Sequence, residues 1–332
     1  MADPAAVLAT VEATPADLAH LAPVVSRARG YAEQARATAT RRAYASQWGS
    51  FLRWCEAAGA PAREPASVAL WLTSRADGGA SVATMAQALA AVSQGHQSQG
   101  LPSPRLSAVV RDTWAGIRRA KAAPQRRAAP LMPEQLAAMV AALSPSLPGL
   151  RDRALLLVGF AAALRRSELV ALEVADVELT DEGAVLTIRR SKTDQEGHGR
   201  QVGIPYGSAP GTCPVRALRA WLTTAGIAAG PIFLGVQVTG SGERRAYRIT
   251  GLPLAGRDVA RIVQRTASRA GVSSAGLSGH SLRAGLATAA ARAGKSAKAI
   301  QEQTGHASLA MVHRYIRRGT LFSDNAAAGI GL

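Results

Sequence analysis

Between Gly279 and Tyr315 the sequence alternates short helical patterns with serine and glycine, which excludes one long helix and requires several short ones. The predicted boundaries of three helices are Ser278 or Gly279 with Gly294, Ser296 with Gly305, and Ser308 with Gly319. His280 and Arg283 lie three residues apart on the first helix, so their side chains share one face, about 5 to 6 Å apart at Cβ. One anion can therefore touch both. His306 is expected in the turn between the second and third helices.

Tyr315 is the candidate nucleophile of this segment. A tyrosine hydroxyl ordinarily has a pKa of about 10, so it needs a neighbour to take its proton and cations to stabilise the charge that develops at the electrophile. Histidine and arginine supply both. The alternative is that Tyr315 is a core residue beside Leu309, Val312 and Ile316, whose spacing marks a buried stripe. On these residues alone both interpretations are open.

A second group of charged residues ends the apolar run from Ala154 to Leu164. Arg165 and Glu168 are again three apart, so the carboxylate can hold the guanidinium while its planar fork faces a phosphate. A purely structural ion pair would give the same pattern.

Together these segments resemble the tyrosine recombinase (phage integrase) family. The resemblance is carried, in order and at similar spacings, by Ala163-Leu164-Arg165-Arg166-Ser167-Glu168-Leu169, His280-Ser281-Leu282-Arg283, Gly305-His306 and Tyr315. It covers the C-terminal half and is weaker before it. Within the family, the segments around Gly279, Gly294 and Tyr315 are most similar to Cre recombinase. In two departures, Ala163 stands where relatives commonly have glycine, and His306 stands where Cre has tryptophan.

The resemblance implies a catalytic set of seven residues: Arg165, Glu168, Lys192, His280, Arg283, His306 and Tyr315. The two arginines of the set would bind the non-bridging oxygens of a scissile phosphate, with Glu168 orienting Arg165. Tyr315 would attack the phosphorus and form a 3′-phosphotyrosyl linkage. His280 would act in proton transfer, and His306 would hydrogen-bond the phosphate.

Lys192 is the expected acid that protonates the leaving 5′ oxygen, because it lies in a predicted β-turn where the family places such a lysine. Residues 184 to 190 alternate like a strand, and Gln201 to Pro205 read as the return strand. Arg189 and Arg190, beside this turn, are candidate contacts to the DNA backbone. The resemblance requires neither metal nor cofactor, and we find no phosphate-binding glycine loop that would indicate ATP.

The charge of the chain independently indicates a polyanionic partner. The 39 Lys and Arg residues exceed the 22 Asp and Glu residues, giving a formal net charge of +17. Four arginines recur every four residues on one predicted helix, opposite an apolar face: Arg257, Arg261, Arg265 and Arg269. Since arginine is well suited to reading guanine in the major groove, we interpret this as a DNA-recognition helix. A solvated basic face is the alternative.

The expected fold is mainly α with a small antiparallel β-sheet from roughly Val174 to Pro205. Residues 1–25 are predicted to be a flexible tail, 26–122 a helical (SAM-like) core-binding domain, 123–131 a linker and 132–332 the catalytic domain with a C-terminal tail. Helical patterns fall at about 37 to 57, 66 to 76, 81 to 98 and 106 to 120. The resemblance implies that the two domains form a C-shaped clamp on DNA. Candidate contacts to the DNA backbone in the first domain are Arg36, Arg41 and Arg42. The polar residues of the 81 to 98 helix could face a DNA groove, although a solvated face is the alternative for each of them: Gln87, Ser93, Gln94 and His96.

Cys55 and Cys213 follow no ligand spacing, so neither a disulfide scaffold nor a zinc site is indicated. The longest apolar run is too short for a membrane span, and no signal peptide is recognisable. We therefore expect a cytoplasmic, nucleoid-associated protein with no membrane partner.

The expected function is site-specific recombination of double-stranded DNA through a Holliday junction. The resemblance implies an inverted-repeat site bound by a dimer and a homotetramer on two sites, with the apolar C-terminal tail docking on a neighbouring subunit. Two alternatives are a type IB-like topoisomerase, which would relax supercoils without a specific site, and a catalytically silent DNA-binding regulator.

Overall fold

The computed structural model of the protein describes residues 21–34, 38–122, 128–191, 194 and 199–320. By its internal contacts the chain divides into two units, Met1–Gln125 and Arg126–Leu332. Arg36, Lys192, most of the predicted linker and the C-terminal tail after residue 320 fall outside the described residues.

The first unit is helical, as predicted. Its helices are α1 (Ala22–Gln34), α2 (Thr38–Ala58), α3 (Pro65–Asp77), α4 (Val82–Gln97) and α5 (Ala108–Ala120). Helices α2 to α5 surround a core that includes Phe51, Trp71, Leu72 and Met85. Helix α1 begins at Ala22, earlier than the predicted domain boundary at residue 26.

The second unit is also mainly helical. Its helices are α6 (Pro133–Ala141), α7 (Leu147–Ala161), α8 (Arg166–Val170), α9 (Pro214–Ala225), α10 (Gly256–Arg269), α11 (His280–Arg292), α12 (Ala297–Thr304) and α13 (Leu309–Gly319). The apolar α7 is buried at the centre, packed against α9 and α11. Leu131 is fully buried, and its N–H donates to the carbonyl of Ser281, 3.0 Å away. The predicted linker therefore ends before this residue.

Two antiparallel sheets complete the second unit. The predicted sheet is present, with strand order β1 (Val177–Leu179), β2 (Gly183–Ile188) and β3 (Arg200–Pro205). Strand β2 pairs with β3 from Gly183 opposite Pro205 to Ile188 opposite Arg200. A second, two-stranded sheet, β4 (Leu234–Thr239) with β5 (Ala246–Pro253), was not predicted.

Local sequence signals set the ends of the helices that carry the candidate site. The Ser296 hydroxyl accepts a hydrogen bond from the N–H of Ala299 and starts α12. Gly305, with φ +60°, ends it in the left-handed conformation that glycine adopts freely. Gly285 lets α11 approach the preceding segment, because a Cβ there would lie 1.9 Å from the carbonyl oxygen of Leu131. These features place His280, Arg283 and His306 in one region.

Candidate functional site

The turn after α7 presents Arg165. Ala163 in this turn has φ +51°, a left-handed conformation that favours glycine, the residue that the family resemblance implies for this position. The ion pair that the three-residue spacing predicts is present, with Arg165 Nη1 2.6 Å from Glu168 Oε1. Glu168 Oε2 also accepts from the Arg165 backbone N–H at 3.0 Å. The carboxylate therefore fixes both the main chain and the side chain of Arg165.

Arg283 lies beneath this turn and is almost fully buried, with 1% of its surface exposed. Its Nη1 donates to the carbonyl of Ala163, 2.9 Å away. Its Nη2 has no hydrogen-bond partner among the described residues. Burial, together with the positive charge of Arg165, lowers the pKa of Arg283 to about 10. A buried guanidinium with an unpaired donor has the chemistry of an anion-binding group.

Arg200, at the start of β3, is a member of the cluster that the sequence interpretation missed. Its Nη2 lies 3.5 Å from Glu168 Oε2, and its Nη1 donates to the carbonyl of Gln303 at 3.3 Å. A Cβ on Gly305 would lie only 2.7 Å from its Nε. Burial lowers the pKa of Arg200, and Glu168 partly opposes that effect. Arg200 thus ties β3 to the turn that carries His306.

Tyr315 and His280 are in hydrogen-bond contact. His280 Nε2 lies 3.0 Å from the Tyr315 hydroxyl, although the residues are 35 positions apart. The Tyr315 ring also stacks on His306, with ring centroids 5.5 Å apart and planes inclined by 29°. Val312 is fully buried and Ile316 packs beside it, whereas Leu309 is exposed. Tyr315 therefore borders a small core and also reaches the cluster with its hydroxyl.

Both histidines of the cluster favour the neutral form. Part of His280 is open to solvent, yet burial of the rest lowers its pKa, and the charges of Arg283 and Arg165 lower it further. Burial lowers the pKa of His306 to about 3, reinforced by Arg283, Arg165, His280 and Arg200. A neutral His280 can accept the proton of the Tyr315 hydroxyl. In each of these histidines, the hydrogen-bond partners of the two ring nitrogens determine which nitrogen carries the proton.

Lys192, the remaining predicted catalytic residue, lies between β2 and β3 in the sequence and outside the described residues. Near it, Arg189 is held by acidic neighbours, with Nε 2.6 Å from Asp176 and Nη1 3.1 Å from Glu173. Asp176 raises the pKa of Arg189. Arg190 is exposed. As DNA-binding residues, both arginines stay predictions.

Helix α10 has the predicted apolar face. Val259, Ile262 and Val263 are buried, whereas its four arginines are exposed. Arg265 differs from the other three, because its Nη2 lies 2.6 Å from the carboxylate of Asp152, a buried residue of α7. Arg265 thus anchors α10, which leaves Arg257, Arg261 and Arg269 as the less constrained candidates for reading DNA.

In the first unit, Arg41, Arg42 and Gln87 are exposed on α2 and α4. Arg41 and Gln94 border a cleft of about 230 Å³ between these helices. The inclusion of Ser93 and His96 in a DNA-facing surface was wrong. Both are buried and bond to carbonyls of their own helix, Ser93 to Leu89 and His96 to Val92. A polar residue in a helix can satisfy itself locally and then pack in the core.

A large apolar groove lies in the second unit, and Gln303 and Thr304 at its edge contact the charged cluster. Its volume is about 770 Å³, and its lining includes Phe160, Ile204, Leu286, Ala290 and Ile300. Among the described residues, no group of three or more His, Cys, Asp or Glu side chains could hold a metal ion. Every described helix is too short or too polar to cross a bilayer.

Sequence comparisons find relatives along most of the chain. The model of the phage integrase family matches residues 130–320. An integrase/recombinase xerD homolog of Selenomonas ruminantium is 38% identical over 307 residues, which span 90% of this chain and 87% of the relative. The tyrosine recombinase XerC of Pelobacter propionicus is 33% identical over 169 residues, about half of each chain.

Structural comparisons find the same fold in two solved proteins. The XerH site-specific recombinase, bound to its difH substrate in a post-cleavage complex, superposes with a TM-score of 0.55 at 19% identity, over 78% of this chain and 70% of XerH. The Tn1549 transposon integrase, in complex with circular intermediate DNA, gives a TM-score of 0.54 at 17% identity, over 77% of this chain and 82% of the integrase.

Proposed function

Since this chain belongs to the phage integrase family and is a tyrosine site-specific recombinase, we propose that it cleaves and rejoins double-stranded DNA through a 3′-phosphotyrosyl linkage and a Holliday junction. The observation that carries this mechanism is the contact between His280 Nε2 and the Tyr315 hydroxyl beside three arginines. Tyrosine, proton acceptor and cations all belong to one chain, so cleavage would occur within the subunit that binds the phosphate.

In the cleavage step, the Tyr315 hydroxyl gives its proton to neutral His280, and the phenolic oxygen attacks the phosphorus. Arg165 and Arg283 bind the non-bridging oxygens and stabilise the charge of the transition state. The bond from phosphorus to the 5′ oxygen breaks, and that oxygen takes a proton, for which Lys192 is the proposed donor. Because the phosphotyrosyl ester conserves the energy of the broken diester, a 5′ hydroxyl can reverse the attack without ATP or metal.

Glu168 and His306 have supporting roles in this proposal. Glu168 orients Arg165 through the two hydrogen bonds to its backbone and guanidinium. His306 packs against the Tyr315 ring and would hydrogen-bond a phosphate oxygen. Arg200, held between Glu168 and the His306 turn, adds a third guanidinium.

DNA recognition is proposed for the exposed arginines of α10. In the first unit, the proposed DNA-binding residues are Arg41, Arg42, Gln87 and Gln94. Near the β2–β3 turn they are Arg189 and Arg190. The two solved relatives with this fold are each in complex with DNA. A clamp around the duplex and nucleoid association in the cytoplasm belong to the same proposal. The particular similarity to Cre is also still a prediction, since the relatives found are a XerD homolog, XerC and XerH recombinases and a transposon integrase.

The assembly we propose is a dimer on each inverted-repeat site and a homotetramer on two sites. The apolar groove beside α11 supports it, because a monomer gains nothing from an exposed apolar surface of this size. The apolar C-terminal residues after 320, which lie outside the described part of the chain, are the proposed occupants of a neighbour's groove. Truncation before Phe322 or Leu286→Glu in the groove should abolish the tetramer and leave single-site binding intact. Tetramers that persist in light scattering with both variants would exclude this packing.

Cleavage itself is tested with a suicide substrate made from repeats that flank the gene in its native locus. Wild type and a Tyr247→Phe control, altered in β5 away from the cluster, should form a covalent protein–DNA band on a denaturing gel, and Tyr315→Phe should form none. Relaxation of a plasmid that lacks these repeats would favour a topoisomerase. Binding without a covalent band would favour a silent regulator.

A further inference from the structure

Thr304, the last residue of α12, contacts Ile300 and His306 through two short hydrogen bonds that share its hydroxyl oxygen. Thr304 is fully buried, and its Oγ1 lies 2.6 Å from the carbonyl oxygen of Ile300. The same Oγ1 lies 2.7 Å from Nδ1 of His306. A weaker contact of 3.3 Å joins it to the carbonyl of Gln301.

The count of protons determines the direction of these bonds. A carbonyl oxygen can only accept, and a threonine hydroxyl has one proton to donate. Two oxygens 2.6 Å apart require a proton between them, so the hydroxyl donates to Ile300. The contact with the ring then requires the proton of Nδ1, because the hydroxyl has none left. If the hydroxyl instead donated to Nδ1, its lone pairs would face those of the carbonyl at 2.6 Å.

We infer that Thr304 is a positioning residue that holds the His306 ring in the form protonated at Nδ1. A neutral His306 in this form offers Nε2 only as an acceptor. On the premise of the proposed function, His306 can therefore donate to a phosphate oxygen only after it has gained a second proton. Binding of the scissile phosphate and proton uptake by His306 are then coupled.

The charges around His306 support this coupling. Arg165 and Glu168 at the start of α8, Arg200 on β3 and His280 and Arg283 on α11 surround it, with Tyr315 of α13 stacked on its ring. Burial lowers the pKa of the His306 ring, and the cations, which outnumber the single carboxylate, lower it in the same direction, so the ring is neutral in the free protein. A bound phosphate adds negative charge and so favours the imidazolium. The free protein should thus hold the acceptor form, and the DNA complex the donor form.

Nuclear magnetic resonance of the full chain labelled with ¹⁵N-histidine tests the tautomer without any assumption about DNA. In the wild type, His306 should be neutral near pH 7 with the proton on Nδ1, and its signals are assigned by their loss in His306→Gln. Thr304→Val removes the acceptor at equal size and should move the proton toward Nε2, whereas Thr304→Ser should restore the wild-type form. Thr288→Val is the matched control, because Thr288 is a buried threonine whose hydroxyl has no partner among the described residues. A wild-type ring protonated at Nε2, or the same tautomer in Thr304→Val, would overturn the assignment.

The second measurement compares cleavage rates of wild type and Thr304→Val from about pH 6 to about pH 9 on the suicide substrate. A variant with Nε2–H donates without proton uptake, so the ratio of wild-type to variant rate should fall with rising pH, by up to about tenfold per pH unit. A constant ratio overturns the coupling. If neither the wild type nor Thr304→Val cleaves the substrate, the proposed function fails. The nuclear magnetic resonance measurement still decides the tautomer of His306.

Discussion

Glu168→Gln is expected to destabilise the second unit strongly, because one buried carboxylate serves two arginines. The Glu168 side chain is 1% exposed and lies 2.6 Å from Arg165 Nη1 and 3.5 Å from Arg200 Nη2. Glutamine keeps the shape and one acceptor oxygen but removes the charge. It also turns an amide N–H₂ toward guanidinium donors that cannot accept a hydrogen bond.

The size of the effect follows from the burial of the three groups. Removing one partner of a buried ion pair costs about 3 to 5 kcal/mol. The Arg165 and Arg200 side chains are 17% and 21% exposed, so water compensates them in part. We therefore expect the lower end, a loss of about 3 kcal/mol in the free energy of unfolding.

Hydrogen–deuterium exchange of amides in α7 and α11 measures this free energy for the second unit alone. Glu173→Gln is the matched control, because Glu173 pairs with Arg189 at the surface, with side chains 41% and 54% exposed. Such a pair contributes about 0 to 1 kcal/mol. A loss below about 1 kcal/mol in Glu168→Gln, or equal losses in the two variants, would refute the buried-carboxylate reasoning.

Three further outcomes are expected. Ala163→Gly should change thermal stability little, since relief of the left-handed strain, about 1 to 2 kcal/mol, is offset by added chain entropy of about 0.5 to 1 kcal/mol and by loss of a fully buried methyl group that contributes about 0.8 kcal/mol. A large rise in melting temperature would contradict this balance. Arg265→Ala should lower both thermal stability and DNA affinity, because Arg265 pairs with the buried carboxylate of Asp152. Arg261→Ala should lower DNA affinity alone, because the Arg261 side chain is 70% exposed. Equal melting temperatures of these two variants would argue against Arg265 as an anchor of α10. The pKa of His280 lies below its ordinary 6.5, and only the neutral ring accepts the proton of Tyr315. Cleavage should therefore persist through pH 6.5 and be lost as the pH falls through that lowered pKa. A loss already complete at pH 6.5 would exclude His280 as the proton acceptor.

Local signals explain what the sequence could predict. Ser296, Gly305 and the alternating strands β2 and β3 act through nearest neighbours, so the ends of α12 and the antiparallel pair of β2 and β3 were predicted correctly. The apolar face of α10 was visible for the same reason, because helical periodicity decides which side is buried.

Contacts between residues that are distant in the sequence explain which features the sequence could not predict. Arg200 meets Glu168 and the Gln303 carbonyl across the fold, and no residue next to Arg200 indicates those partners. Strand β4 does alternate, with Leu234, Val236 and Val238 at every second position, so this sheet had a local signal that the sequence interpretation missed. His96 looked like a surface residue because the hydrogen bond to its own helix, which permits burial, is invisible in composition.

The net charge of the cluster around Glu168 determines which phosphate species it stabilises most. Three guanidinium groups, Arg165, Arg200 and Arg283, against the single Glu168 leave two positive charges among the described residues when both histidines are neutral. A phosphodiester carries one negative charge, whereas the five-coordinate phosphorane formed during strand transfer carries two. The cluster of the free protein therefore carries more positive charge than a bound diester can neutralise, and the proton inferred for His306 in the DNA complex adds to that excess. Under the proposed mechanism, this excess favours the phosphorane over the bound diester.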